Sequence, residues 1–309
     1  MVRQFKFDLL RFALWLLLPI ALTCGGFAQT GNERAGTTFH SEVTEVRVSF
    51  SATDQANRVV ANVQASDFAI VDQDRVVRDF RSFTRSGYTR LDVAVLLDAS
   101  GSAASTFHQA LSNIFQWIGQ AGSMPEESFS VLSFRELKPT VLCRGNCRSL
   151  EIGRQSTAAT TGGLTPLYDS VVFASQMLGA RNDVHTRKIL ILFSDGADTI
   201  SLRSLHDAFE SALENDVAIY TADVSESPHM SAGTLILRGL AVNTGGRYFA
   251  AESGTAKVLD AILADFHATY TVAYKLPSYA AGFHQVRILP THNLSLQFHC
   301  RRGYHYPEN

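Results

Sequence analysis

The chain has 309 residues, 46% of them hydrophobic, enough for one medium α/β domain and a smaller module beside it. Its 27 basic and 29 acidic residues leave a formal net charge of −2. That balance argues against nucleic acid or an anionic membrane surface as the partner.

Arg3, Lys6 and Arg11 precede an apolar run from Phe12 to Leu22, and Gly26-Phe27-Ala28 supplies small residues before Gln29. The pattern predicts a secretory signal peptide over 1–28, cut after Ala28. The apolar run falls short of the about 20 residues that a membrane span needs, so no transmembrane segment is expected after cleavage. The chain is therefore expected in the periplasm or the medium. Acylation at Cys24 ranks behind simple cleavage, because Leu22-Thr23-Cys24 is a poor acylation motif.

Residues 29–42 are polar and Gly/Thr-rich, a flexible lead-in. Over 43–88 the pattern alternates, with Val46, Val48 and Phe50 against Glu45, Arg47 and Ser49. Further short strands are expected at Val59–Val63, Asp67–Val71 and Val76–Phe80, with turns at 54–57 and 72–74. This N-terminal β module carries no clustered chemistry-bearing residues.

Residues 89–268 change period. Val93–Leu97 is a β-branched apolar run that predicts a strand buried on both faces. It stops at Asp98, and Ser105 opens a helical pattern to about Gly119 through Phe107, Leu111, Ile114, Phe115 and Ile118. A strand follows at Phe129–Phe134 and an edge strand at Thr140–Leu142. The loop Thr160–Asp169 enters a helix at Pro166, the residue type favoured at the first helical position, and the helix runs to Leu178. Lys188–Phe193 is a second wholly apolar strand, ending at Ser194-Asp195-Gly196. Then come helix 201–214, strand Val217–Thr221, helix 231–243 with a Thr244-Gly245-Gly246 stop, strand Arg247–Ala250 and helix 255–268. Such alternation predicts an α/β, doubly wound, mostly parallel sheet, whose working end is the carboxyl ends of its strands.

From 269 the period returns to two, at Tyr270–Tyr274, Val286–Leu289 and Leu294–Phe298, followed by Arg301-Arg302-Gly303-Tyr304. Residues 269–309 are too few strands to stand alone. They are expected to pair with 43–88 in a flanking β-sandwich-like module. Cys143 and Cys147 face each other across Gly145-Asn146, placed for a local disulfide in an oxidising compartment, which leaves Cys300 unpaired. A zinc site lacks a second pair of ligands at the right spacing.

Asp98-x-Ser100-x-Ser102 sets three oxygen-bearing side chains on one tight turn. Hard divalent cations take oxygen ligands, and one carboxylate with two neutral hydroxyls leaves such a cation electrophilic toward a further ligand. A strand end followed by a helix cap would use the same residue types, so this turn alone leaves both readings open. Two further loops at or beside strand ends, carrying Thr165 and Asp195, offer oxygen ligands as well.

Asp98-x-Ser100-x-Ser102, Thr165 within Gly-Gly-x-Thr-Pro-Leu-Tyr-Asp, and the buried strand ending Ser194-Asp195-Gly196 together resemble the von Willebrand factor type A domain. The resemblance covers about residues 91–268 and includes Ala241–Phe249. The flanks, Asp67-Phe68-Ala69-Ile70 and Arg301-Arg302-Gly303-Tyr304, resemble an exported bacterial subgroup of VWFA-related proteins best known from Acidobacteria. The family usually has a larger residue where this chain has Ala103, a position that is not a ligand. The resemblance implies a metal-ion-dependent adhesion site. Ser100, Ser102 and Thr165 would bind magnesium or manganese directly or nearly so, with Asp98 and Asp195 direct or through water. The remaining coordination position would go to an Asp or Glu carboxylate of a partner protein. Asp198 is then an orienting residue or an exposed loop carboxylate, and Tyr168 and Asp169 belong to the first helical turn.

The implied function is an exported, non-enzymatic adhesion or assembly module. One rival is a structural envelope protein with an unused metal site. Another is a metal-dependent phosphatase-like hydrolase with Asp98 as nucleophile. Such hydrolases use a second aspartate two residues on, and Ser100 cannot act as acid or base near neutral pH. The chain has no G-x-x-x-x-G-K-[ST], G-x-G-x-x-G or G-x-S-x-G motif.

Overall fold

A computed structural model describes residues 45–85, 90–121, 127–145, 147, 161–180, 186–225 and 230–306. The expected signal peptide, Cys24 and the lead-in lie outside the described residues. Among those residues no helix is long and apolar enough to cross a membrane.

The central layer is a six-stranded sheet. Its members are β5 (Arg90–Asp98), β6 (Glu127–Phe134), β7 (Thr140–Gly145), β8 (Thr186–Ser194), β9 (Val217–Asp223) and β10 (Tyr248–Phe249), in the order β10-β9-β8-β5-β6-β7. All neighbours are parallel except β6 and the edge strand β7. Helices α1 (Ala104–Ala121), α2 (Leu167–Gly179), α3 (Leu205–Glu214), α4 (Ala232–Thr244) and α5 (Thr255–His267) cover both faces.

Side-chain alternation explains the layering, because successive residues of a strand point to opposite faces. Val93, Val95 and Leu97 of β5 pack with Phe107, Leu111 and Ile114 of α1 and with Leu259 and Ile262 of α5. Ala94 and Leu96 pack instead with Leu167 and Val171 of α2, Ala208 of α3 and Leu240 of α4. An apolar run without polar interruptions is what a strand needs when both its faces are roofed by helices.

Beside this layer lie two antiparallel four-stranded sheets, built from early strands β1 (Glu45–Thr53), β2 (Phe68–Asp72), β3 (Arg75–Val77) and β4 (Phe80–Arg85) and late strands β11 (Tyr270–Lys275), β12 (Gly282–Pro290), β13 (Gln297–Cys300) and β14 (Gly303–Tyr306). Their orders are β13-β1-β11-β4 and β14-β12-β2-β3. Val48 opposes Val272 and Ile70 opposes Ile288, so each sheet mixes early and late strands. One core holds both sheets together: Val48 and Phe50 of β1 and Tyr270 of β11 meet Phe68 and Ile70 of β2 and Ile288 of β12.

Four local expectations are corrected. Val59–Val63 is no strand; it makes a single bridge from Val59 to Thr53, and Val63 N–H donates to Tyr270 Oη at 3.0 Å. Val76–Phe80 is not one strand but the end of β3 and the start of β4, which sit in different sheets. Helix α3 starts at Leu205 rather than 201, because Ser204 caps it by accepting from Asp207 N–H while Asp207 accepts from Ser204 N–H. Pro166 is the residue before α2, with φ −89° and ψ 63°, rather than its first helical residue.

Candidate metal centre

Asp98 is the last residue of β5, and Ser194 is the last residue of the parallel neighbour β8. Both side chains are buried. Ser194 Oγ donates to Asp98 Oδ2 at 2.7 Å and accepts from Gly196 N–H at 3.0 Å. Asp98 Oδ1 accepts from Ser100 N–H at 2.9 Å, so the chain doubles back at once and brings Ser100 Oγ to 3.3 Å from Ser102 Oγ. Ser100 is buried; Ser102 faces solvent.

The Thr165 loop is tied to this turn through main-chain bonds. Gly162 N–H donates to Ala99 O at 2.7 Å, and Gly101 N–H reaches Gly163 O at 3.4 Å. Gly163 has φ +88°, a conformation that side chains rarely adopt, and a Cβ there would stand 3.0 Å from Glu136 Cγ. Thr165, itself buried, is then gripped from the other side: its N–H donates to Thr199 Oγ1 at 2.7 Å, and its carbonyl accepts from Thr199 N–H at 2.9 Å.

Asp195 is half-buried, and its Oδ1 accepts from Ala197 N–H at 2.9 Å. The loop after it presses on α4 so closely that a Cβ on Gly196, where φ is +79°, would lie 2.3 Å from Gly233 O. The Asp195 charge acts on Asp98. Burial pushes the Asp98 carboxyl above the usual carboxylate range, hydrogen bonds from Ser100 and Ser194 pull it back, and Asp195 pushes it up again.

Asp198 and Asp169 have a different job from ligation. Asp198 Oδ1 accepts from Tyr168 N–H at 3.3 Å and from Ser201 Oγ. Asp169, in the first turn of α2, accepts from Leu202 N–H at 3.0 Å and Arg203 N–H at 2.9 Å. Together they clasp the start of α2 to the 198–203 segment and fix where Thr165 stands. Ser194 and Thr199 are the site residues that sequence reasoning passed over. Ser194 left one signal, a small hydroxyl closing an otherwise apolar strand.

The five residues expected as ligands would offer two carboxylates and three hydroxyls. Among the described residues no group of three or more His, Cys, Asp or Glu side chains is placed to hold a metal, so a cation here would rest on hydroxyl oxygens as well as on carboxylates. Nor does any Lys, Arg or His of those residues pair with Asp98. A buried carboxylate, opposed by a second carboxylate and lacking a basic partner, fits a hard dication.

No family model matches the chain, and no curated protein matches it in sequence. Among solved structures it is similar to proximal thread matrix protein 1 from the mussel byssus with a zinc-occupied MIDAS motif, at 16% identity and TM-score 0.47 over 63% of this chain and 50% of that one. It is also similar to an aerotolerance-related membrane protein from Bacteroides fragilis, at 12% identity and TM-score 0.42 over 57% and 98%. A third likeness is to the SpRpn10 VWA domain, at 14% identity and TM-score 0.41 over 55% and 94%. The chain spans about half the length of the mussel protein. These likenesses are loose, and the α/β architecture stands on the strand order and pairing described above.

Proposed function

We propose that the chain is an exported, non-catalytic protein-binding module of the von Willebrand factor type A kind, with magnesium or manganese held by Asp98, Ser100, Ser102, Thr165 and Asp195. The observation that carries this reading is the buried Asp98 carboxylate at the end of β5, raised by burial and by Asp195 and lacking a basic partner among the described residues. Left as it is, that arrangement is unfavourable; the attraction of a dication for both carboxylates would offset the two penalties.

The chain's own residues prepare the site. Ser194 and the Ser100 N–H fix the Asp98 carboxylate in one orientation, so no reorganisation is needed when a cation arrives. The clasp through Asp169, Asp198 and Thr199 holds Thr165. Three of the five donors are neutral. A cation bound there supplies Lewis acidity toward a carboxylate from a partner's Asp or Glu. Leu137, Leu164 and Leu202 are exposed in loops around the site, and apolar side chains beside a polar centre suit a protein partner better than a small solute. The basic start and apolar run of residues 1–28 support export, as does the disulfide between Cys143 and Cys147.

Partner capture from an envelope extract, with magnesium and with chelator, for wild type and Asp98→Ala, tests the reading. Capture seen only with wild type and magnesium supports it. Equal capture in all four conditions overturns it and leaves a structural role.

A further inference from the structure

A second feature lies at the opposite end of the central sheet, where β5, β8 and β9 begin. A cleft of about 470 Å³ is lined there by Arg47, Arg85, Arg90, Arg187, Lys188 and Arg301, with Asp216 the single acidic lining residue among those described. Its volume is that of a small-ligand pocket. The cations converge from separate elements: Arg47 from β1, Arg85 from β4, Arg187 and Lys188 from β8, and Arg301 from the turn between β13 and β14. In a chain of net charge −2, average composition does not produce such a cluster.

The hydrogen bonds of Arg85, Arg187 and Lys188 orient those side chains without cancelling their charge. Arg85 Nε donates to His267 O at 3.2 Å, and Lys188 Nζ donates to Asn215 O at 3.3 Å. Arg187 donates to Thr269 Oγ1, with its guanidinium 5.9 Å from the centre of the Phe266 ring. All of these acceptors are neutral. Asp265, a carboxylate that feels the Arg187 charge, is already 2.6 Å from Arg247. Arg301 shares Asp216 at 2.8 Å and donates to Arg47 O at 2.9 Å, yet its Nε is buried with no partner. Arg47 pairs with Glu45, which is not part of the lining.

Like charges gathered in a concave site repel one another, and the walls of a cleft focus their field on the space between them. Guanidinium forks match phosphate oxygens two at a time. We propose that this cleft binds a compact anion carrying two or more phosphate groups, bridging the β8 cations of the central sheet and those of β1 and β4. The inference is independent of the Asp98 site.

Calorimetric titration of the full chain with inorganic tripolyphosphate at low ionic strength is the test, with vesicles with and without cardiolipin as a second arm. The expected result is saturable binding that weakens at least tenfold in the folded double variant Arg85→Gln/Lys188→Gln. Binding should tighten in Asp216→Asn, which removes the opposing charge. Response to tripolyphosphate alone marks a soluble ligand. Added capture by cardiolipin vesicles, reduced in the same double variant, marks a lipid headgroup. No saturable binding of either probe, or binding that the double variant leaves unchanged, overturns the proposal.

Discussion

Arg247 Nη1 stands 2.6 Å from Asp265 Oδ1, and neither side chain is more than 4% exposed. The other terminal nitrogen of Arg247 donates to Asn57 O at 2.9 Å, so the same side chain fastens β10 to the loop after β1. Burial holds the Asp265 carboxyl up at about 6, against the pull of Arg247 in the other direction. With the folded value above the unfolded one, the folded state binds the proton more tightly, and stability falls as pH rises from about 4 to about 6. Replacing Arg247 by Met removes the pull and pushes Asp265 higher still. The variant should be about 3–5 kcal/mol less stable than wild type at pH 8 and closer to it at pH 5, read by urea unfolding. A deficit that does not change with pH would count against the pair as described.

Asp98→Asn keeps an acceptor for Ser100 N–H but removes the charge that burial and Asp195 both oppose. In chelator this variant should melt no lower than wild type. Magnesium at about one hundred times its dissociation constant should stabilise wild type by about 2.7 kcal/mol and leave Asp98→Asn unmoved. Equal shifts in both proteins would place the cation elsewhere.

Ser194→Ala strips one donor from Asp98 and the acceptor from Gly196 N–H, both in a buried setting. The expected loss is about 1–3 kcal/mol, together with a smaller magnesium response. Loss of stability with the full magnesium response would make Ser194 a packing residue only.

His299 lies on β13 with Nε2 2.9 Å from Thr53 Oγ1. Burial, aided by the Arg247 charge, lowers its pKa from the ordinary 6.5 to about 4. The unfolded chain takes a proton on this ring at a pH where the folded chain refuses it, so stability is lost as pH falls from about 6.5 toward 4. Imidazole shifts followed by NMR should show a neutral ring down to pH 5; a titration midpoint near 6.5 would refute this.

Cys143 and Cys147 are bonded to each other, and Cys300 is free, with burial pushing its thiol up to about 11. At pH 8 a thiol reagent should leave Cys300 unmodified in folded protein and label it after unfolding. Because the bridge closes a very short loop, reduction should cost about 2 kcal/mol or less, measured as a shift in the denaturation midpoint. Rapid native labelling of Cys300 would show an environment more open than the packed side of β13.

The central layer was legible because burial on two faces writes itself as unbroken apolar runs, as at Val93–Leu97 and Ile189–Phe193. The flanking sheets were legible by period and not by partner. Val76 and Phe80 share one alternating run, yet the chain changes sheets between them, a choice settled by packing against strands some two hundred residues away. Val59–Val63 has strand-like residues but no partner strand to continue its ladder. At the candidate site the oxygen-bearing residues announced themselves by type and spacing. Thr199 did not, and Ser194 did so only by closing an apolar strand; their role is to hold other groups, and a hydroxyl in an exposed loop that orients a neighbour reads like any surface hydroxyl.

The pairing of β1 with both β11 and β13 has a consequence for assembly. Ser49 and Thr271 are hydroxyl partners at 3.1 Å although 222 positions separate them. As the polypeptide emerges from the N-terminal end, β1 and β2 must wait, edges bare, while the whole α/β layer is threaded past them. Loop closure over such a span is slow, and bare strand edges invite pairing between molecules. The α/β layer, closed by nearer contacts, is positioned to collapse first and hold the late strands at short range from the early ones. A chain interrupted between α5 and β11 would retain every residue of the Asp98 site and yet be the species most exposed to aggregation.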